Sequence, residues 1–257
     1  VTAPLPYVGI SGLTTRTEVL AARSVFPACG RQLMVGVLAS EKTLAGQQNR
    51  WHRRYPRIES IAGIFSDDPR CLNLVHFGAD TPPDAATLLR LFELAGHRCH
   101  GFQFNGAWPY RSDLFRLHEA AAHRGRDLRV VLQCRCAGPS DLVWLTVPSV
   151  AHYGGAITDV LADASGGTGK PLERHHVDAW RQNVAKIWRD RPLGIGIAGG
   201  LCAEAIPGVA DLLRAGASCD AEGRLRDDAD GGGRLVQEKV EAYLEAAGEA
   251  ATSTPTP

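Results

Sequence analysis

The sequence predicts one closed barrel of eight parallel strands, each followed by a helix, a (β/α)₈ or TIM barrel in a single domain, and three observations carry that prediction. Short apolar runs alternate with longer stretches of helical period along the chain. The apolar runs are close to continuous, which is the pattern of strands covered on both faces. Eight such strand–helix units, roughly 25–40 residues each, fill the 257 residues, an ordinary length for this architecture. A doubly wound open sheet would show the same alternation, but eight units in this length favour closure.

In order, the strands are expected at Tyr7–Leu13, Leu33–Ala39, Leu72–Phe77, Gly101–Phe104, Leu128–Cys134, Ile157–Ala162, Leu193–Ala198 and Ala217–Asp220. The helical stretches between them are Thr15–Val25, Glu41–Phe65 with a break near Pro56, Pro82–Ala95 and Tyr110–His123. The remainder are Ser140–Tyr153, Arg174–Arg189, Ala203–Ala215 and Arg234–Ala247. Boundary chemistry agrees with this layout. Thr81-Pro82-Pro83-Asp84 supplies a cap and a first-turn proline, and Gly96 closes the same helix. Pro207 is tolerable early in the seventh helix, which Gly216 ends. The barrel is expected to span residues 1–248, and the tail 249–257, ending Ala-Thr-Ser-Thr-Pro-Thr-Pro, to be disordered for want of an apolar face.

Composition narrows the function. Twenty-eight basic residues balance 28 acidic ones, so no net field directs the chain to nucleic acid or an anionic membrane. No apolar run approaches the roughly 20 residues of a membrane helix. The first strand starts within a few residues, leaving no room for a secretory signal. Seven cysteines without a CxxC pair argue against a disulfide framework or a zinc ribbon. The expectation is a cytoplasmic protein acting on a small molecule, without a cofactor.

In such barrels the chemistry sits on the loops after the strands. The first strand ends in Ser11, the third carries His76, and the fourth carries Gln103 and Asn105, which alternation places on one face. The fifth ends Gln133-Cys134-Arg135, the sixth at Asp163, and the eighth at Asp220 with Glu222 just beyond. Polar side chains closing apolar strands are costly unless partnered, and several at one end are either a site or a polar layer bonded to loop backbone. Gly166-Gly167-Thr168-Gly169-Lys170 offers backbone N–H groups and a counter-charge to an anion, or else forms a turned lid. It is no Walker loop, because Pro171 follows the lysine. Gly194-Ile195-Gly196-Ile197-Ala198-Gly199 matches a dinucleotide fingerprint by letter only, since its glycines fall within a strand. Among the histidines only His76 stands at the catalytic end, and none forms a metal set.

Four of these segments, in register, resemble phosphoribosylanthranilate isomerase. Ile10-Ser11-Gly12-Leu13-Thr14 is similar to that family's first-strand Ile-Cys-Gly-Leu-Thr, and Phe102-Gln103-Phe104-Asn105-Gly106 to its fourth-strand Val-Gln-Leu-His-Gly. Asp163 with the loop to Lys170 resembles its sixth-strand aspartate and glycine-rich loop, and Ala198-Gly199-Gly200-Leu201 its phosphate turn. The resemblance spans residue 8 to about 224 and implies an aldose-to-ketose isomerisation with Asp163 as general acid. It implies phosphate at the Gly167, Gly199 and Gly200 turns. Gly223 after the eighth strand is a further phosphate candidate, and the strand-end residues Gln103, Asn105, Gln133, Arg135 and Asp220, with Lys170, are the candidate substrate contacts.

Three departures set this chain apart. Ser11 stands where the family has its catalytic cysteine, and a serine needs an adjacent base to replace a thiolate. Glu222 and Arg224 alter the eighth-strand turn, and no arginine among Arg50, Arg53 and Arg54 clearly matches the family's second-strand one. The missing base is then sought in His76 or Glu222. Two other readings stand beside the isomerase: a lyase or aldolase using Lys170 as a Schiff-base nucleophile, and a barrel that binds without turnover. A homodimer is left open, since relatives differ in this.

Overall fold

The computed structural model describes residues 4–135, 147–163, 178, 182, 193–227 and 233–253. Eight strands close a barrel in sequence order: β1 (Tyr7–Ser11), β2 (Gln32–Ser40), β3 (Cys71–Ala79), β4 (Gly101–Gly106), β5 (Arg129–Arg135), β6 (Asp159–Asp163), β7 (Gly194–Ala198) and β8 (Ser218–Ala221). All neighbours are parallel, and β1 meets β8 through Val8–Cys219, Gly9–Asp220 and Ile10–Ala221, so the sheet has no edge. The described helices are α1 (Arg16–Val25), α2 (Glu41–Leu44), α3 (Ile61–Ile64), α4 (Ala85–Ala95), α5 (Arg111–Ala122), α6 (Val147–Tyr153), α7 (Ala210–Arg214) and α8 (Gln237–Thr252).

The strands fall where the apolar runs place them to within two residues at either end: β1 stops two residues short of Leu13, and β2, β3 and β4 run one or two residues further than expected. The helices differ more. The expected stretch Glu41–Phe65 is mostly loop: α2 stops at Leu44, Gly46 turns the chain at φ +71°, and helix returns only at Ile58. That loop is drawn over the barrel mouth, because Arg54 within it pairs with Glu222. Asp84 caps α4 by accepting from the Thr87 N–H at 2.8 Å, so Pro82 and Pro83 lie before the helix and not in its first turn. Pro207 sits in a 3₁₀ segment, Ala203–Val209, that precedes a short α7.

The tail expectation is corrected for residues 249–252. Helix α8 continues to Thr252, because Ala247 and Gly248 are buried, Gly248 lies against Pro27, and Ala250 packs on the core. Residues 254–257 and most of the expected helix Arg174–Arg189 lie outside the described residues. Among the described residues no helix is long and apolar enough to cross a membrane.

Inside the barrel, two-residue alternation sorts the inward side chains into layers. The floor is polar: Arg129 grips Asp159 with contacts of 2.8 and 2.6 Å and lies 5.2 Å from the Tyr7 ring centroid. The waist is apolar, built from Met34, Leu72, Leu74, Val131 and Leu161. Gly194 and Gly196 thread β7 through this packing. A Cβ at Gly194 would stand 2.0 Å from an Asp159 oxygen, and one at Gly196 2.6 Å from Leu161 Cδ1. Steric demand, and not a nucleotide, therefore accounts for those glycines. The layer above the waist is polar again and forms the mouth.

Candidate active site

One step of alternation above the waist, each strand delivers a polar or small residue to the same end. Ser11 follows Gly9 on β1, His76 follows Leu74 on β3, Gln133 follows Val131 on β5, and Asp163 follows Leu161 on β6. β4 contributes Gln103 and then Asn105, β7 ends at Ala198, and β8 supplies Asp220. Ser11, His76, Gln103, Gln133, Asp163 and Asp220 are buried, whereas Asn105 is partly exposed. Around them lies a cleft of about 80 Å³, bordered by Ser11, His76, Asn105, Gln133, Asp163 and Asp220. Its opposite rim is backbone-rich: Ala198, Gly199, Gly200, Ala221, Glu222 and Gly223. Gly199 and Gly200 turn the chain at φ +106° and +64°, a path that keeps side chains out of the rim.

The buried groups form one connected array. Ser11 Oγ lies 3.1 and 2.9 Å from the two oxygens of Asp220, and 3.2 Å from His76 Nδ1. Gln103 Nε2 donates to Asp220 at 3.1 Å and to Gln133 Oε1 at 3.2 Å, and Gln133 Nε2 donates to Asp163 at 2.8 Å. Trp108 holds the Gln133 carbonyl at 3.1 Å, fixing β5 where this chain of contacts crosses the cleft. Two carboxyl groups thus stand at the ends of a glutamine bridge, with a hydroxyl and an imidazole beyond one of them.

The electrostatics single out Asp220. Burial pushes its carboxyl up to about 7; hydrogen bonds from Gln103 and Ser11 oppose that rise, and the charges of Glu222 and Asp163 add to it. Burial also pulls the His76 imidazole below its ordinary value, against the nearby carboxylates Glu222 and Asp163 that favour its charged form. Near neutral pH His76 is therefore uncharged, with one ring nitrogen donating and the other accepting, and Asp220 stands between its two protonation states. When Asp220 is ionised, Ser11 donates to it. When it is protonated, it donates to Ser11 Oγ, and the Ser11 proton is free to turn to His76 Nδ1 in the tautomer that leaves that nitrogen unprotonated. The hydroxyl is a two-way relay.

Most of the residues singled out in the sequence meet at this mouth: Ser11, His76, Gln103, Asn105, Gln133, Asp163, Asp220, Gly199, Gly200 and Gly223. Two assignments change. The carboxyl poised near neutrality is Asp220, which the sequence suggested only as a substrate contact. Glu222 borders the cleft, but its Oε1 is clasped by Arg54 Nη1 at 2.9 Å and Arg226 Nη2 at 3.0 Å. The charge of Glu222 is offset by those two residues and not by Arg224. Arg226 was not anticipated, although the i,i+4 spacing from Glu222 was visible. Lys170, Gly167 and the side chain of Arg135 lie outside the described residues. Elsewhere, His100 Nδ1 accepts from the Asn73 N–H and His118 Nε2 contacts the Ala156 carbonyl, both at 2.9 Å, which are structural roles. Among the described residues no group of three or more His, Cys, Asp or Glu is placed to hold a metal ion.

No protein-family model and no curated protein matches the chain. Solved structures do match. The catalytic domain of a hyperthermophilic chitinase from Pyrococcus furiosus is similar at TM-score 0.59 and 10% identity, covering 98% of each chain. Tryptophan synthase alpha chain from Legionella pneumophila subsp. pneumophila is similar at TM-score 0.57 and 8% identity, covering 96% of this chain and 92% of that one. Orotidine 5'-monophosphate decarboxylase from Methanocaldococcus jannaschii, complexed with inhibitor BMP, gives TM-score 0.54 and 12% identity, covering 94% and 98%. At these identities the likeness establishes the (β/α)₈ fold and goes no further.

Proposed function

We propose that the chain is an enzyme that moves a proton between neighbouring atoms of a small anionic substrate, an aldose phosphate by class, in a divergent version of the phosphoribosylanthranilate isomerase reaction. The observation that carries this reading is the contact of Ser11 Oγ with both oxygens of an Asp220 carboxyl poised near neutral pH. A serine cannot act as a base alone, but here the adjacent base that it requires is present. In the forward step Ser11 Oγ takes the C2 proton while passing its own to Asp220. The electron pair left on C2 forms the enol double bond, and the ring C–O bond opens as Asp163 protonates the departing oxygen. This requires the form of the site in which the one proton of the carboxyl pair sits on Asp163 and Asp220 is ionised. Collapse of the enol to the ketose then returns a proton from Asp220 through Ser11 to C1 while Asp163 takes the C2 hydroxyl proton, so both carboxyls regain their starting states.

His76 keeps the Ser11 hydroxyl turned into the cleft, and Gln133 fixes the Asp163 carboxyl. The anionic group belongs at the Gly199-Gly200 turn and Gly223, where backbone is open to the cleft. The test has two parts. Ribose 5-phosphate should raise the melting temperature saturably, and Gly199→Asp should remove that rise. In D₂O, wild-type protein should exchange the C2 hydrogen of a bound aldose phosphate, read by proton NMR, and Asp220→Asn should not. Binding without exchange across a panel of aldose phosphates would instead mark a barrel that holds its ligand and leaves it unchanged.

A further inference from the structure

A second and larger pocket lies outside the barrel mouth, between the loops that follow β1, β2 and β8. It encloses about 510 Å³ and is lined by Thr14, Arg53, Tyr55, Arg57, Arg226 and Arg234, with Glu18 and His52 at its border. The cleft and this pocket share no lining residue.

The charge in this pocket is unbalanced. Glu18 is committed through one oxygen: its Oε2 takes the Thr14 and Thr15 N–H groups at 2.7 and 2.9 Å and the Thr14 hydroxyl at 3.1 Å. Glu222, behind the pocket wall, is shared between Arg226 and Arg54, so one carboxylate serves two guanidinium groups. Among the described residues, no carboxylate lies within ion-pair distance of the Arg53, Arg57 or Arg234 side chains. The pocket therefore presents four arginines against one carboxylate that already satisfies backbone.

Arg226 gives this pocket a fixed wall. It is 3% exposed, with Nη1 on the Gly233 carbonyl at 2.8 Å and Nη2 on the Gly12 carbonyl at 3.3 Å. Among the described residues its Nε–H has no partner, and neither does that of Arg54. Gly12 makes room for it, since a Cβ there would lie 2.0 Å from Arg226 Nη2. Burying a guanidinium with an unmet N–H is costly unless a charge repays it, and a buried arginine beside three exposed ones is an arrangement suited to an anion with several oxygens.

We propose that this pocket is a second ligand site, separate from the cleft, that binds the phosphoryl end of a small phosphorylated molecule. Arg226 forms its fixed wall, and Arg53, Arg57 and Arg234 close on the oxygens. Phosphate oxygens accept bidentate guanidinium contacts, and the Tyr55 hydroxyl on the same wall is a further donor. This assignment does not depend on the chemistry proposed for the cleft.

The probe is inorganic pyrophosphate, titrated calorimetrically into full-length protein at constant ionic strength. The expected result is saturable binding that weakens at least tenfold in the double variant Arg53→Ser/Arg57→Ser and persists in Gly199→Asp. Both arginines of the double variant are exposed, so its melting temperature without ligand should match wild type. Arg226→Gln should abolish binding; if that variant unfolds, the surface pair still decides the matter. Absence of saturable binding, or equal affinity in the double variant, would overturn the proposal. So would loss of binding in Gly199→Asp alone, which would put the anion in the cleft and leave the reading of the cleft intact.

Discussion

Replacing Asp220 with asparagine should make the protein more stable at alkaline pH while removing its activity. In the folded state the carboxyl titrates at about 7, against an ordinary value of 3.8. A rise of roughly three units, at about 1.4 kcal/mol each, penalises the ionised form by about 4 kcal/mol. The sign follows from proton uptake. Between about pH 4 and 7 the unfolded chain has released this proton and the folded chain retains it, so raising the pH through that window removes stability, which then levels off. Asparagine keeps the shape and the contact with Gln103 and carries no charge. His76 acts in the opposite direction, since its lowered value costs stability as the pH falls below the ordinary histidine range, but both proteins share it and it cancels in the difference. Urea unfolding of wild type and Asp220→Asn at pH 4.5 and pH 8 measures the effect. Because pH 4.5 already lies above the ordinary value of 3.8, the difference in unfolding free energy between the two proteins should change by about 3 kcal/mol of that total in favour of the variant at pH 8. Parallel pH dependences would refute the reasoning, because Asp220 would then ionise like an exposed carboxylate.

Other perturbations test separate parts of the structure. Ser11→Ala should lower turnover by about 10²-fold or more, the usual range for a positioned proton carrier, and change the melting temperature little; unaltered turnover would exclude the relay. Arg129→Met should destabilise the barrel by about 3–5 kcal/mol in urea unfolding, because it leaves the buried Asp159 without its bidentate partner. Asp84→Ala should cost about 1 kcal/mol through loss of the α4 cap, measured in the same way.

The barrel was legible because strands covered on both faces must be continuously apolar, and only their ends are free to be polar. Ser11, Gln103, Gln133, Asp163 and Asp220 stand out for that reason, and the structure brings all five into one array. The helix boundaries were less legible. Glu41–Phe65 carries enough apolar residues to imitate a helix, but its middle is held open over the mouth by a contact 168 residues away, between Arg54 and Glu222. The roles within the site depend on such distant contacts too. Nothing local in Ser218-Cys219-Asp220 marks Asp220 as the carboxyl with the raised proton affinity; that follows from its burial beside Ser11 and Gln103 and from two other carboxylates contributed by β6 and the loop after β8. The end of α8 was missed for a similar reason, since the packing of Gly248 on Pro27 joins the two ends of the described chain.

The central claim is that Asp220, joined through Ser11 to His76, holds an exchangeable proton near neutral pH. The most direct measurement is a carboxyl ¹³C NMR titration of wild-type protein labelled at aspartate, with Asp220→Asn used to assign the resonance. The account predicts that the Asp220 resonance titrates with a midpoint of about 7. A midpoint near 4, in the ordinary range of an exposed aspartate, would contradict it.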